Sequence, residues 1–313
     1  MVLLGSSELD VFPLNLGGNV FGWTADRDAS FAILDAFVEG GGNFVDTADS
    51  YSAFHPGNSG GESETIIGEW MASRGRDRLV VATKVSRHPE FLGLAPANIR
   101  AAVDASLRRL GTDHIDLYYG HFDDPQVPAA EFAGAFSELV DAGKVRAIGI
   151  SNFAPGRIDE WFAAVKADGL HAPVALQPHY NLVERDFETN GLRDTARTHD
   201  LAVLPYFALA KGFLTGKYRD AEQGSSPRAT GAIAYLDDRG RRVLAALDEV
   251  AMRHRTNPAV VALAWLRQQD TIPIASASRL EQLPDLLASA HLVLSAADME
   301  QLINAGVEVD AAE

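Results

Sequence analysis

The sequence predicts an α/β fold: a (β/α)8 TIM barrel, one domain over residues 1–313, with long loops at the carboxyl face of its strands. Three observations carry this. Strand-like apolar runs alternate with helix-like periodic segments from one end to the other, and strands separated by helical patterns imply βαβ units in a parallel sheet. About eight such units fit the length, which is the arithmetic of a barrel. No linker divides the chain, since its most linker-like piece, Gly224-Ser225-Ser226-Pro227, lies inside a long loop. The other arrangement of such units, a doubly wound sheet, normally carries a G-x-G-x-x-G turn after its first strand. Here Gly17-Gly18-Asn19-Val20-Phe21-Gly22 does not match that pattern.

Each element has a local reason. Phe12 to Gly18 is an extended entry segment, and Ser30 to Glu39 places Phe31, Leu34 and Val38 at helical spacing before Gly40-Gly41 stops it. Asn43 to Asp46 is a short buried strand, and Glu62 to Ala72 is a helix with Ile66, Ile67, Trp70 and Met71 on one face. The β-branched run Leu79 to Thr83 ends at Lys84. Pro96 then opens a helix at a position proline tolerates, and Gly111 closes it. The strand Ile115 to Tyr119 leads to Gly120-His121, and the helix Ala129 to Asp141 leads to the strand Val145 to Ile150. A helix over Pro155 to Ala167, a strand over Val174 to Leu176, a helix over Gly191 to Thr198 and a strand over Leu201 to Pro205 follow. The last part reads as helices at 241–254 and 258–267, a strand at Thr271 to Ala275, and helices at 280–288 and 297–305.

Composition excludes several function classes. Lys plus Arg total 27 against 43 Asp plus Glu, a formal charge of −16, whereas generic nucleic-acid or anionic-membrane binding needs a basic face. There is no cysteine, hence no disulfide frame, thiol catalysis or Cys-ligated metal, which fits a cytoplasmic protein. The start MVLLGSSELD is not a signal peptide. No apolar run approaches the ~18 residues that cross a membrane. Nucleotide-triphosphate loops, His-Glu-x-x-His helices and nucleophile elbows are absent.

Barrel sites form where strands end. In order those ends carry Asp46 with Tyr51, then Lys84, His121, Ser151 with Asn152, Gln177, Tyr206 and Ser276. Singly each has a plain structural explanation: a turn cap, a loop lysine, a satisfied histidine, a rim aromatic. Together at one face they suggest a chemistry. A phenol is a weak acid with a pKa near ~10, and a nearby ammonium lowers it. Lys84, held by Asp46, would do this to Tyr51, and His121 would orient a carbonyl oxygen that Tyr51 protonates. Nothing in the set is a nucleophile or resembles a metal site, so the electron pair comes from elsewhere. The small groups Thr47-Ala48-Asp49-Ser50 would leave room for a ring and a carbonyl beside the phenol.

These residues resemble the catalytic tetrad of the aldo-keto reductases. The stretch GGNFVDTADSY (41–51) is similar to that family's segment around its catalytic Asp and Tyr, and SLRRLGTDHIDLY (106–118) to its helix-to-strand signature. GKVRAIGISNF (143–153), QPHYNL (177–182) and GFLTGKY (212–218) also match in order. The resemblance implies NADP(H)-dependent reduction of an aldehyde or ketone, with Tyr51 as general acid, Lys84 and Asp46 as its electrostatic partners, and His121 orienting. It implies that Ser151, Asn152 and Gln177 hold the nicotinamide carboxamide and that Tyr206 stacks on the ring. Phe207, Leu209, Gly212 and Leu214 would line the pyrophosphate path, and Ser276, Ser278, Arg279 and Gln282 would surround the adenosine end. Arg279, beside serines and a helix start, suits a 2′-phosphate, which favours NADPH over NADH.

Two departures stand out. Phe207 takes the place of a serine common in related sequences, and Ala210-Lys211 that of a glycine pair. Trp23, Phe54 and Phe122, with His55 and Tyr235, are the candidate substrate walls, suited to a hydrophobic carbonyl compound. The expected partner is that small molecule, with no nucleic acid or membrane and a monomer as the default state. The alternative function is a cofactor-binding regulatory protein on the same barrel, with little turnover.

Overall fold

The computed structural model describes residues 1–220 and 229–307. The linker-like Gly224–Pro227 therefore lies outside the described residues. Eight parallel strands run in sequence order around one sheet. They are β1 (Asn15–Gly17), β2 (Phe44–Asp46), β3 (Val80–Val85), β4 (Ile115–Gly120), β5 (Val145–Ser151), β6 (Pro173–Gln177), β7 (Ala202–Val203) and β8 (Ile274–Ala275). β8 pairs with β1, Ile274 against Asn15. Closure between β7 and β8 comes from the Ile272 and Ile274 amides, which donate to Val203 and Pro205 carbonyls at 2.9 Å. The barrel is closed, as expected.

The last two strands are shorter than expected, and proline explains both. Pro205 and Pro273 carry no amide hydrogen, so the ladder cannot run through them. Their carbonyls remain useful: Pro273 accepts from Asn15 N at 3.0 Å. Besides a five-residue helical turn at Ala229–Ile233, the helices are α1 (Arg27–Glu39), α2 (Glu62–Arg74), α3 (Pro96–Leu110), α4 (Ala129–Asp141), α5 (Pro155–Asp168), α6 (Leu192–Thr198), α7 (Asp238–His254), α8 (Pro258–Arg267), α9 (Leu283–Ser289) and α10 (Ala296–Ala305). α1 and α7 start three residues earlier than their apolar spacing suggests, because Asp26 and Asp237 cap them by accepting from Ala29 N and Gly240 N. The helix expected from Leu280 is a 3₁₀ turn (Leu280–Gln282) followed by α9, with Pro284 in its first turn.

Strand alternation sorts the side chains. Phe44, Ala82, Leu117, Tyr119 and Ala147 fill the barrel interior, whereas Val45, Val81 and Tyr118 join the layer under the helices. With a period of two, Asp46 shares the side of Phe44, and Lys84 that of Ala82. The interior is floored by a hairpin, Val2–Leu3 against Asp10–Val11, whose Leu4 and Val11 are fully buried among those interior residues. A second hairpin, Arg87–His88 against Phe91–Leu92, follows β3 at the other end; no periodicity in the sequence announces it.

Candidate active site

Lys84 is fully buried, and its ammonium donates to Asp46 Oδ2 at 2.7 Å, the Thr47 carbonyl at 2.7 Å and the Tyr51 hydroxyl at 2.9 Å. Tyr51 donates in turn to Asp46 Oδ2 at 2.9 Å. Gln177 Nε2 donates to the other oxygen, Asp46 Oδ1, at 2.9 Å. Asp46 thus accepts an ammonium, a phenol and an amide, which satisfies a buried carboxylate. His121 stands beside the phenol, ring centroids 6.2 Å apart at 73°. The structure brings all four tetrad candidates together.

Electrostatics correct one expectation. Burial pushes the Tyr51 phenol well above its usual value, and the Asp46 carboxylate adds to this. The ammonium does not bring the phenol down; burial pulls Lys84 itself below its ordinary range, against the Asp46 charge. Tyr51 is therefore a loaded donor at neutral pH. Burial, followed by the Lys84 and Arg87 charges, drives His121 well below 6.5, so its ring is neutral. Its Nδ1 is buried and has no hydrogen-bond partner among the described residues.

The segment after Asp46 also differs. Thr47, Ala48 and Asp49 are fully buried, so they pack behind the site and do not open it. Thr47 Oγ1 donates to Ser63 Oγ at 2.8 Å, tying the segment to α2. Behind Lys84, Thr83 and Arg109 both donate to the buried Glu64 at 2.6 Å. These supports pair residues from different elements, and no spacing in the sequence reveals them.

The candidate cofactor residues form a connected rim. Asn152, in the left-handed region at φ 58°, donates to the His121 carbonyl and to Ser151 Oγ, both at 2.9 Å. Ser151 Oγ donates to the Gln177 carbonyl, and the Tyr206 hydroxyl to Asn152 Oδ1, each at 2.9 Å. His179, which carried no role in the sequence, stacks on Tyr206 at 5.2 Å and 12°. Phe207 takes φ 50° and exposes its ring, with Asn181 Nδ2 bonding its carbonyl at 3.0 Å. After Leu209, Ala210, Lys211 and Gly212 are all left-handed, and this 3₁₀ turn (Ala210–Thr215) sends Leu214 into the core. Leu214 can reach a ligand only through its backbone.

At the β8 end, Ser276 Oγ donates to Asn19 Oδ1 at 2.5 Å. The Ser278 and Arg279 amides converge on Gln282 Oε1 at 2.8 and 3.2 Å. Arg279 makes no ion pair among the described residues. The aromatic candidates split. Trp23 and Phe54 meet edge to face at 4.9 Å, and Phe122 lies 5.2 Å from His121. Tyr235 is elsewhere, 5.9 Å from Phe213 and near Lys211; His55 is exposed.

Comparison with known proteins agrees with this geometry. The model of the Aldo/keto reductase family matches residues 13–305. Protein tas of Escherichia coli (strain K12) is 31% identical over 320 residues, covering 92% of each chain. Norsolorinic acid reductase B of Aspergillus parasiticus is 32% identical, covering 96% of this chain and 82% of its own. The uncharacterized oxidoreductase YrpG of Bacillus subtilis is 34% identical, covering 93% and 91%. With a closed barrel, a buried Asp46–Lys84 pair bonded to the half-buried Tyr51 and a match along nearly its whole length, the chain belongs to the aldo/keto reductase family and is an NAD(P)H-dependent oxidoreductase.

Proposed function

We propose that this protein reduces an aldehyde or ketone to an alcohol with NADPH, as a cytoplasmic monomer acting on a small-molecule substrate. The observation that carries the reading is the Tyr51 hydroxyl held between Lys84 Nζ and Asp46 Oδ2, each at 2.9 Å. A bound nicotinamide would supply the hydride. The chain's own residues do the rest. Tyr51 turns its proton from Asp46 to the substrate oxygen as charge develops there. The Lys84 ammonium then bonds the phenolate left behind, and Asp46 and the Thr47 carbonyl keep that ammonium in place. Neutral His121 donates a hydrogen bond that orients the carbonyl. General acid catalysis of this kind contributes about 10²–10⁴-fold.

The residues present fit the cofactor. The left-handed turn at Ala210–Gly212 and the nearby Lys211 suit a pyrophosphate. Ser151, Asn152 and Gln177 form an amide-binding edge, and Tyr206, backed by His179, keeps a ring face for stacking. Arg279, free of acidic partners among the described residues, supports the choice of NADPH.

Absorbance at the NADPH band with a panel of aldehydes tests the reading. Wild-type protein oxidises NADPH; Tyr51→Phe loses about 10²–10⁴-fold in kcat with an unchanged melting temperature. Full activity in that variant refutes the assigned acid. Arg279→Ala raises KM for NADPH and not for NADH, and equal use of both cofactors by the wild type sinks the preference.

A further inference from the structure

Arg87 is an exposed arginine three residues beyond the buried Lys84. Its guanidinium lies 4.5 Å from the centroid of the Phe122 ring, and that ring is 5.2 Å from His121. Cation–π contact and ring contact thus link a fixed positive charge to the residue beside the phenol.

The backbone holds Arg87 there. Ser86 takes φ 112°, a conformation costly for a residue with a side chain. Its carbonyl accepts from Gly93 N at 3.1 Å, and its hydroxyl from Phe122 N at 3.1 Å. One residue therefore ties the hairpin that carries Arg87 to the loop that carries Phe122. His88, the next residue, is buried and packs on Phe91 at 5.2 Å.

The charge is unmatched among the described residues: the Arg87 guanidinium makes no ion pair and no hydrogen bond there, in a chain of formal charge −16. Of the acids that follow Phe122, Asp123 pairs with Arg157 at 3.0 Å and Asp124 accepts from the Leu94 and Gln126 amides; Glu90, in the turn of the same hairpin, forms no ion pair with Arg87 among the described residues. An arginine left without a carboxylate, anchored beside a catalytic histidine, matches a carboxylate brought by a ligand.

We propose that Arg87 is a specificity-determining residue that selects carbonyl substrates carrying an anionic group, a carboxylate at the far end of a short or aromatic carbon frame. This rests on the reductase reading above. The aromatic neighbours cover the frame, Tyr51 and His121 meet the carbonyl, and Arg87 meets the carboxylate.

The probes are 4-carboxybenzaldehyde and its methyl ester, which differ in charge and share the carbonyl. In the wild type the ratio of kcat/KM, acid over ester, exceeds one and falls with added salt. In Arg87→Gln the ratio drops about 5- to 20-fold, chiefly through KM for the acid, and Arg87→Lys restores part of it. Circular dichroism and melting temperature verify that each variant is folded. An equal ratio in wild type and Arg87→Gln overturns the proposal. Equilibrium binding of 4-carboxybenzoate, followed by tryptophan fluorescence, needs no turnover. If neither aldehyde is reduced, Arg87-dependent binding keeps the anion site and sinks only the reductase reading, while Arg87-independent binding sinks the site itself.

Discussion

An ammonium has three hydrogens, and Lys84 uses them all, on Asp46, Thr47 and Tyr51. That saturation fixes the phenol oxygen without a mobile group nearby. It also sets the pH behaviour. The His121 ring is held well below 6.5 by burial and two cations, so it stays neutral through the physiological range. The expected kcat/KM profile therefore has no inflection near 6.5; an inflection there that His121→Asn removes contradicts the assignment. The stability sign follows from linkage. Unfolded, the ring takes up a proton near its ordinary value; folded, it does so only at lower pH. Its contribution is full above about 6.5 and is lost as pH falls below that value, which urea titrations at stepped pH will read. Asp46, Tyr51, Lys84 and His121 were legible because each closes or follows an apolar run. The bond from Gln177 to Asp46 was not, because 131 positions separate them. Nor was the direction of the Tyr51 shift, since burial outweighs the ammonium and burial is a property of the fold.

At the level of elements, the site is braced from behind. Glu64 on α2 accepts Thr83 from β3 and Arg109 from α3, and it is fully buried while Arg109 is one-fifth exposed. Removing one partner strands a buried charge, which costs about 3–5 kcal/mol. Arg109→Leu is therefore expected to lower the unfolding free energy by that order in urea, and a loss below about 1 kcal/mol would mean the pair contributes little. Helices and strands were legible from periodicity, and their errors have identifiable causes. Asp26 and Asp237 extended two helices backwards, and Pro205 and Pro273 shortened two strands. The Arg87–Leu92 hairpin escaped because its paired segments are two residues each, too short to show an alternation. What fixes it is the strained Ser86 and its bond to Phe122, which only the folded chain displays.

For the whole molecule, the closed barrel separates stability from chemistry. The hairpin at the floor buries Leu4 completely, at the opposite end from Tyr51. Leu4→Ala removes methyl groups from a packed interior and costs about 2–5 kcal/mol. Thermal unfolding is expected to move down by several degrees while KM for NADPH stays put; a changed KM would show the floor and the site to be coupled. The seam between β8 and β1 carries another implication. Ser276 bonds Asn19 across 257 positions, and Ile274 pairs with Asn15. Contacts so distant along the chain pay a loop-closure cost before they return anything. During synthesis the β1 edge has no β8 partner until Ile274 has left the ribosome, so the ring can shut only once nearly the whole chain has been made.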